Sequence, residues 1–288
     1  MKNIASNNLR FATLNFLNRK DNLDVRVKSL VEEIKEKDIQ VFALQEILDD
    51  VHEELEAALF ELGFISCSYG GTLDNRRGGF NGNAIFSKIA PITYTNFDFT
   101  DDSVLAKSET IPAVIAHFQY NNRNVYAISA HFSWGGKNEG NRIRQATLIS
   151  EYADSLRAED PECIVLLGGD LNAVEDSSTV RYLNGLDTNL KHESTLWVDA
   201  WKLHGNKDNW ATSDPNTYWG AYTANLVGIQ NHLELPTRRI DYIFSYEWCY
   251  GRPGYPTNFN RFGDKIYSDF REISDHYGIY SDIYVPVK

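Results

Sequence analysis

Apolar positions along the chain recur with two periods, and their alternation predicts strands joined by helices through the first half. Residues 10–17 carry Phe11, Leu14 and Phe16 in loose alternation, which predicts a strand with Asn15 near its end. Asp24 is placed to cap a helix whose Val27, Leu30, Val31 and Ile34 follow the i, i+3, i+4, i+7 spacing of one helical face. Residues 39–44 form the next apolar run, and Gln45-Glu46 follow it directly. A second helix is predicted from about Asp50, with Leu55, Ala58, Leu59 and Leu62 on one face and Gly63 as its stop. Residues 64–69 and 83–87 read as strands. Between them, residues 76–82 are basic and glycine-rich, but lack the lysine and Ser/Thr of a phosphate-binding P-loop, so they read as a hairpin connection.

Residues 111–120 and 125–131 flank Asn121-Asn122 and predict a β-hairpin. A helix over 139–156 would align Ile143, Ala146, Ile149, Ala153 and Leu156. Ile164, Val165, Leu166 and Leu167 are continuously apolar, as in a strand buried on both faces. Over 200–236 the pattern fades, and Trp201, Trp210, Tyr218, Trp219 and Tyr222 stand among polar residues. That segment reads either as a lid packed over a sheet or as a surface that stacks on bases or sugars. Residues 239–246 and 277–285 supply two more strands. With no repeat, low-complexity segment or linker, a single domain over 1–288 is expected, its mixed sheets covered by helices.

Composition narrows the function. A hydrophobic fraction of 42% supports a sizeable core, and a net charge of −12 repels nucleic acid and anionic membrane at long range. This argues against a tight non-specific DNA binder, but leaves room for a nuclease that relies on metal ions. The three cysteines, Cys67, Cys163 and Cys249, are widely spaced and include no CxxC pair, which disfavours a disulfide framework or a thiolate zinc site. The polar first residues and the lack of a long apolar run predict a soluble, cytoplasmic protein without membrane insertion. No obligate protein partner is evident.

The candidate chemistry gathers where apolar strands end. Gly168-Gly169-Asp170-Leu171-Asn172 terminates the buried run with a carboxylate and an amide two apart, which on an extended chain point the same way. Such a pair suits water activation and oxyanion stabilisation, although Gly-Asp-x-Asn is also an ordinary turn sequence. Asn15, Glu46, His131, Asp241 and the pair Asp275-His276 share this context. Glu46 also reads as a cap for the following helix, His131 as a core histidine, and Asp275-His276 as a capped turn. Asp241, set among isoleucines in Arg239-Ile240-Asp241-Tyr242-Ile243-Phe244, is costly to bury unless paired. Together these residues offer oxygen ligands for a hard cation and two imidazoles for proton transfer, with no nucleophilic Ser or Cys context.

In order, Thr13-Leu14-Asn15, Leu44-Gln45-Glu46, Gly82-Asn83-Ala84-Ile85-Phe86-Ser87-Lys88, Ser129-Ala130-His131-Phe132, Gly169-Asp170-Leu171-Asn172, Arg239-Ile240-Asp241-Tyr242-Ile243-Phe244 and Ser274-Asp275-His276-Tyr277-Gly278 span almost the whole chain. This series resembles the endonuclease/exonuclease/phosphatase superfamily, which includes pancreatic deoxyribonuclease, abasic-site endonucleases, neutral sphingomyelinases, inositol polyphosphate 5-phosphatases and tyrosyl-DNA phosphodiesterases. The resemblance implies a deoxyribonuclease-like α/β fold, a four-layer sandwich of two packed mixed β-sheets flanked by helices. It also implies a Mg²⁺-dependent cleft, with Mn²⁺ as the alternative ion. Glu46 would hold the metal with Asn15 and Asp275. Asp170 would orient or deprotonate the attacking water, and Asn172 would contact phosphoryl oxygen or nucleophile. His276, held by Asp241, and His131 would handle protons and phosphate, while Asn83 and Trp134 would bind substrate. The expected activity is hydrolysis of a nucleic-acid or nucleotide-type phosphodiester. The alternatives are a phosphatase for a small phosphorylated metabolite or sugar and, from another class, an inactive binder of phosphorylated ligands.

Overall fold

The apolar periods become two β-sheets in the computed structural model, which describes residues 7–74, 79–103, 105, 110–188, 195–226, 237–247, 252–265 and 272–288. In chain order the elements are β1 (Asn8–Asn15), α1 (Leu23–Lys37), β2 (Val41–Leu48), α2 (Asp49–Phe60), β3 (Ser66–Asp74), β4 (Gly79–Ser87) and β5 (Pro91–Phe97). There follow β6 (Ala113–Tyr120), β7 (Arg123–His131), α3 (Glu139–Glu159), β8 (Ile164–Asp170), α4 (Ser178–Leu183), β9 (Trp197–Asp199) and α5 (Ala200–His204). The chain continues through α6 (Tyr218–Leu226), β10 (Asp241–Tyr246), β11 (Tyr255–Pro256), β12 (Asn260–Phe262) and β13 (Gly278–Tyr284). One sheet runs β11-β13-β1-β2-β4-β3, with β12 also paired to β13; the other runs β5-β6-β7-β8-β10-β9. Both are mixed: β1–β2 and β7–β8 are parallel, while β1–β13, β2–β4, β6–β7 and β8–β10 are antiparallel.

Alternation of side chains gives each sheet two apolar faces, and each face is covered. Leu9, Phe11, Val41, Ala43 and Ile85 of the first sheet meet Val114, Ala116, Phe118, Ala127, Leu166 and Ile243 of the second, forming the central core. The outer face of the first sheet packs on Val27, Leu30 and Ile34 of α1 and Val51, Leu55 and Leu59 of α2. That of the second packs on Ala146, Ile149 and Ala153 of α3 and on α4. The four layers expected from the sequence are therefore present. Among the described residues, no helix is long and apolar enough to cross a membrane.

Local chemistry sets several boundaries. Asn121 and Asn122 both adopt left-handed φ (51° and 61°), the conformation a two-residue hairpin turn with primed geometry requires. Gly63 follows α2 with φ 83° and stops it as expected. Asp24 does not cap α1. Asn22 occupies the cap in a left-handed conformation without a side-chain bond, and Asp24 lies in the first turn, where a negative charge favours the helix dipole. Part of the expected basic hairpin, residues 76–78, lies outside the described residues, while Gly79–Gly82 belong to β4. The short or half-exposed strands β5, β9, β11 and β12 escaped the pattern, since an edge strand buries too few side chains to print a clear alternation.

Candidate active site

Strand register places the polar residues. Parallel pairing sets His131 of β7 opposite Asp170 of β8, and antiparallel pairing sets Asp170 opposite Asp241 of β10. Opposed residues share a face, so three strand ends of one sheet present an imidazole and two carboxylates in a row. The glycines before Asp170 make the close packing feasible. A Cβ on Gly168 would meet the Phe11 ring at 2.8 Å, and one on Gly169 the Ala130 carbonyl oxygen at 1.9 Å. In the other sheet Asn15 lies opposite Gln45 at the same end. A fully buried chain of hydrogen bonds joins the sheets beneath: Thr13 Oγ1 donates to Gln45 Oε1 (3.1 Å), Gln45 Nε2 to Ser129 Oγ (2.9 Å), and Ser129 Oγ to the Leu44 carbonyl (3.0 Å).

Asp170 is the hub. Its Oδ2 accepts from Asn15 Nδ2 at 3.0 Å and lies 3.5 Å from His131 Nε2 and 3.8 Å from His276 Nε2. Its Oδ1 accepts the Asn172 backbone N–H at 2.8 Å. This last bond corrects the extended geometry expected for Asp170 and Asn172. Asn172 has φ 49°, so the segment is a turn, and the turn itself delivers the amide. Asn172 Nδ2 donates to the Phe132 carbonyl (3.1 Å) and contacts His131 Nε2 at 2.9 Å. The turn and the site are thus one feature.

Glu46 does not cap α2, whose first turn has no side-chain cap. A register shift between Leu44 and Ile47 breaks β2, and Glu46 takes φ 57°. The bulge swings its carboxylate so that Oε2 accepts the Asn18 N–H (3.1 Å) while Oε1 lies 3.8 Å from His131 Nε2. Left-handed Leu17, Glu46 and Asn172 therefore surround one cleft; such non-glycine conformations carry strain and concentrate at functional sites.

His276 Nδ1 bonds Asp241 Oδ2 at 2.8 Å, both groups being buried. Burial alone would lower the imidazole's proton affinity, but the charges of Asp241 and Asp170 outweigh it and hold His276 well above its ordinary range. Burial pushes the Asp241 carboxyl up to about 6, opposed by the neighbouring imidazolium. The pair is best described as an imidazolium–carboxylate near neutral pH. Burial, and then the negative charge of Glu46, raise the proton affinity of Asp275. Two carboxylates brought this close together suit a hard cation. Glu46 and Asp275 carry oxygen donors of the kind such an ion takes, while Asn15 Oδ1 already accepts the Leu17 N–H at 3.0 Å. Among the described residues, Asp170, Asp241 and His276 also hold donor atoms within 4.8 Å of one another, with Asp241 and His276 already bonded to each other.

Asn83 is completely buried, with Nδ2 donating to the Pro112 carbonyl (2.8 Å) and Oδ1 without a partner among the described residues. Trp134, three residues beyond His131, is 56% exposed. The aromatic segment mostly packs. Trp219 is buried and donates to the Glu272 carbonyl (3.0 Å), Trp210 donates to Glu175 (2.7 Å), and Trp201 lies under the Arg239 guanidinium. Residues 227–236 lie outside the described residues.

Sequence reasoning missed the supports. Arg26, fully buried, donates to the carbonyls of Phe16, Leu17, Arg19 and Ile273, tying the exit of β1 to the segment before Asp275-His276. Burial lowers its pKa to about 10 against the charges of Asp275, Asp21 and Glu46. Ser274 Oγ donates to the Asn15 carbonyl (2.6 Å), and Thr212 Oγ1 accepts the Ile240 and Asp241 N–H groups. The available signal was a cation one turn before Leu30 on the apolar face of α1.

The model of the Endonuclease/Exonuclease/phosphatase family matches residues 3–276. Among solved structures, D. rerio TDP2 complexed with single strand DNA product is 18% identical, with 96% of this chain and 99% of that chain covered at a TM-score of 0.72. TDP2 from C. elegans is 16% identical, with 98% and 77% covered at 0.72. A mannosyl-6-phosphatase of Bacteroides thetaiotaomicron is 18% identical, with 96% and 99% covered at 0.68. No curated protein matches in sequence. At these identities the structural likeness establishes the fold.

Proposed function

The chain belongs to the endonuclease/exonuclease/phosphatase family of phosphoester-hydrolysing enzymes, and we propose that it hydrolyses a nucleic-acid or nucleotide-type phosphodiester with the help of Mg²⁺. The observation that carries this reading is the convergence on Asp170 Oδ2 of Asn15 from one sheet and of His131 and His276 from either side. A carboxylate so placed orients water and accepts its proton. The cation, held by Glu46 with Asn15 and Asp275, would offset charge on the pentacoordinate phosphorus. Asn172 directs its amide toward His131 and the reacting oxygens. Asp241 fixes the His276 tautomer and favours its charged form, which faces Asp170 and stabilises the anionic transition state. His131 Nε2, between Glu46 and Asp170, accepts the Asn172 amide here and, once protonated, would supply the proton to the leaving group or bind phosphate. Trp134 offers an exposed ring to the substrate, whereas Asn83 is wholly buried and its amide braces the Pro112 carbonyl instead of meeting substrate.

A second reading, a phosphatase for a sugar phosphate, draws on the mannosyl-6-phosphatase structure that shares the fold. A metal-supplemented screen of single-stranded and duplex DNA, RNA, a bis-aryl phosphate and phosphomonoesters separates the two. Diester cleavage with Mg²⁺ or Mn²⁺, abolished by chelation, is expected. Phosphate release from monoesters alone would overturn the first reading in favour of the second. Activity on none would leave a binder of phosphorylated ligands.

A further inference from the structure

Ser213 forms antiparallel bridges with Arg238 on one side and His276 on the other. Arg238 and Ser213 exchange both backbone hydrogen bonds (2.9 and 3.0 Å), and the Tyr277 N–H donates to the Thr212 carbonyl at 2.7 Å. Residues directly opposed in such a ladder project to the same face. Arg238 therefore faces the way His276 faces, toward the cleft that holds Asp170. Two strand spacings, roughly 10 Å, separate their backbones, so Arg238 lies beside the reacting centre rather than within it.

Its side chain is half-buried, and Nε is shut from solvent with no hydrogen-bond partner among the described residues. Other arginines of this fold are engaged: Arg10, Arg142, Arg144, Arg181, Arg239 and Arg261 each meet a carboxylate, and Arg26 meets carbonyls. Arg239 Nη2 and Arg261 Nε are likewise unpartnered, so what sets Arg238 apart is that its guanidinium meets no carboxylate or carbonyl among the described residues. On a chain of net charge −12, a guanidinium at the rim of a phosphoesterase cleft with no carboxylate partner among the described residues suits an anion, and its planar fork matches phosphate oxygens. The reacting phosphate already faces the two histidines, so the anion at Arg238 is a second one.

We propose that Arg238 binds the phosphate next to the scissile phosphodiester, making an oligonucleotide with at least two phosphates the preferred substrate. This rests on the phosphodiesterase reading above. The test compares a dinucleoside monophosphate with a trinucleoside diphosphate, using the wild-type protein, Arg238→Gln and Arg238→Lys, each checked by its thermal midpoint. The wild type should prefer the longer compound. Arg238→Gln should lose roughly tenfold of that preference through KM and reduce the salt dependence of oligonucleotide binding by about one counterion. Arg238→Lys should keep the salt dependence and recover part of the preference. Equal losses on both compounds, which would place Arg238 on the reacting phosphate or under His276, would overturn the proposal, as would no loss on either. Preserved diester cleavage in those cases leaves the phosphodiesterase reading standing. A wild type that cleaves neither compound overturns that reading and this one together.

Discussion

Two buried cation–carboxylate pairs meet near the start of β10, and they have opposite fates. Arg239 Nη1 lies 2.7 Å from Asp199 Oδ2, and His276 Nδ1 lies 2.8 Å from Asp241 Oδ2, all four residues being shielded from solvent. The first pair is closed. Arg239 is stacked over Trp201 and Tyr242, its Nε reaches Glu175, and Asp199 Oδ1 accepts the Trp201 N–H. The second is open, since His276 Nε2 looks onto Asp170; each pair leaves one buried atom, Arg239 Nη2 and Asp241 Oδ1, without a partner among the described residues. Burial and pairing therefore do not mark a functional site, since desolvation offsets much of the attraction in both. A ring nitrogen left facing a third ionisable group in a cleft does.

The sharpest test of that contrast is to remove one cation from each pair. His276→Ala should lower turnover by about 10²–10⁴ with little change in thermal midpoint. Arg239→Met, which strands Asp199 as a buried unpaired charge, should lose about 3–5 kcal/mol of stability in a urea titration, while the folded fraction keeps most of its turnover. If the two variants exchanged these outcomes, the assignment of open and closed pairs would fail.

A smaller effect concerns the open side. Glu46→Gln removes a charge from the proposed cation site and should raise the Mn²⁺ concentration needed for half-maximal activity about tenfold, and weaken Mn²⁺ binding in a calorimetric titration alike. Unchanged titrations would remove Glu46 from that site.

The subtlest difference lies in pH dependence, measured in EDTA. His276 has a folded pKa raised above its unfolded value by Asp241 and Asp170, despite burial. The folded protein therefore binds this proton more tightly. The resulting stabilisation is complete below the unfolded pKa of about 6.5 and is lost as pH rises through the folded value. Asp241→Asn should flatten that decline in stability above pH of about 6.5, whereas Arg239→Met should leave its slope unchanged. A slope untouched by Asp241→Asn would contradict the imidazolium–carboxylate description.

Much of this was legible in the chain. The apolar runs ending in Asn15, His131 and Asp170 fixed where polar groups leave the sheets, because a strand buried on both faces admits polar residues only at its ends. Helix faces such as Val27–Leu30–Ile34 announced the covering layers, and the ordered motifs announced the family. Illegible were the bulge that turns Glu46 to left-handed φ, the turn that brings Asn172 onto His131, and the reach of Arg26 to Ile273 across the fold. Equally hidden was the division between Arg239 and His276, since their carboxylate partners lie 40 and 35 residues away along the chain.

Sequence alone determined the layers, the family and the roster of polar residues at strand ends, because periodicity and residue type act locally along the chain. Register, bulges and long-range pairing decided which atoms of those residues meet at Asp170, which charge pair is closed, and that Arg238 and His276 share a face. These depend on how two sheets and their connecting segments settle against each other, and no local pattern carries that information.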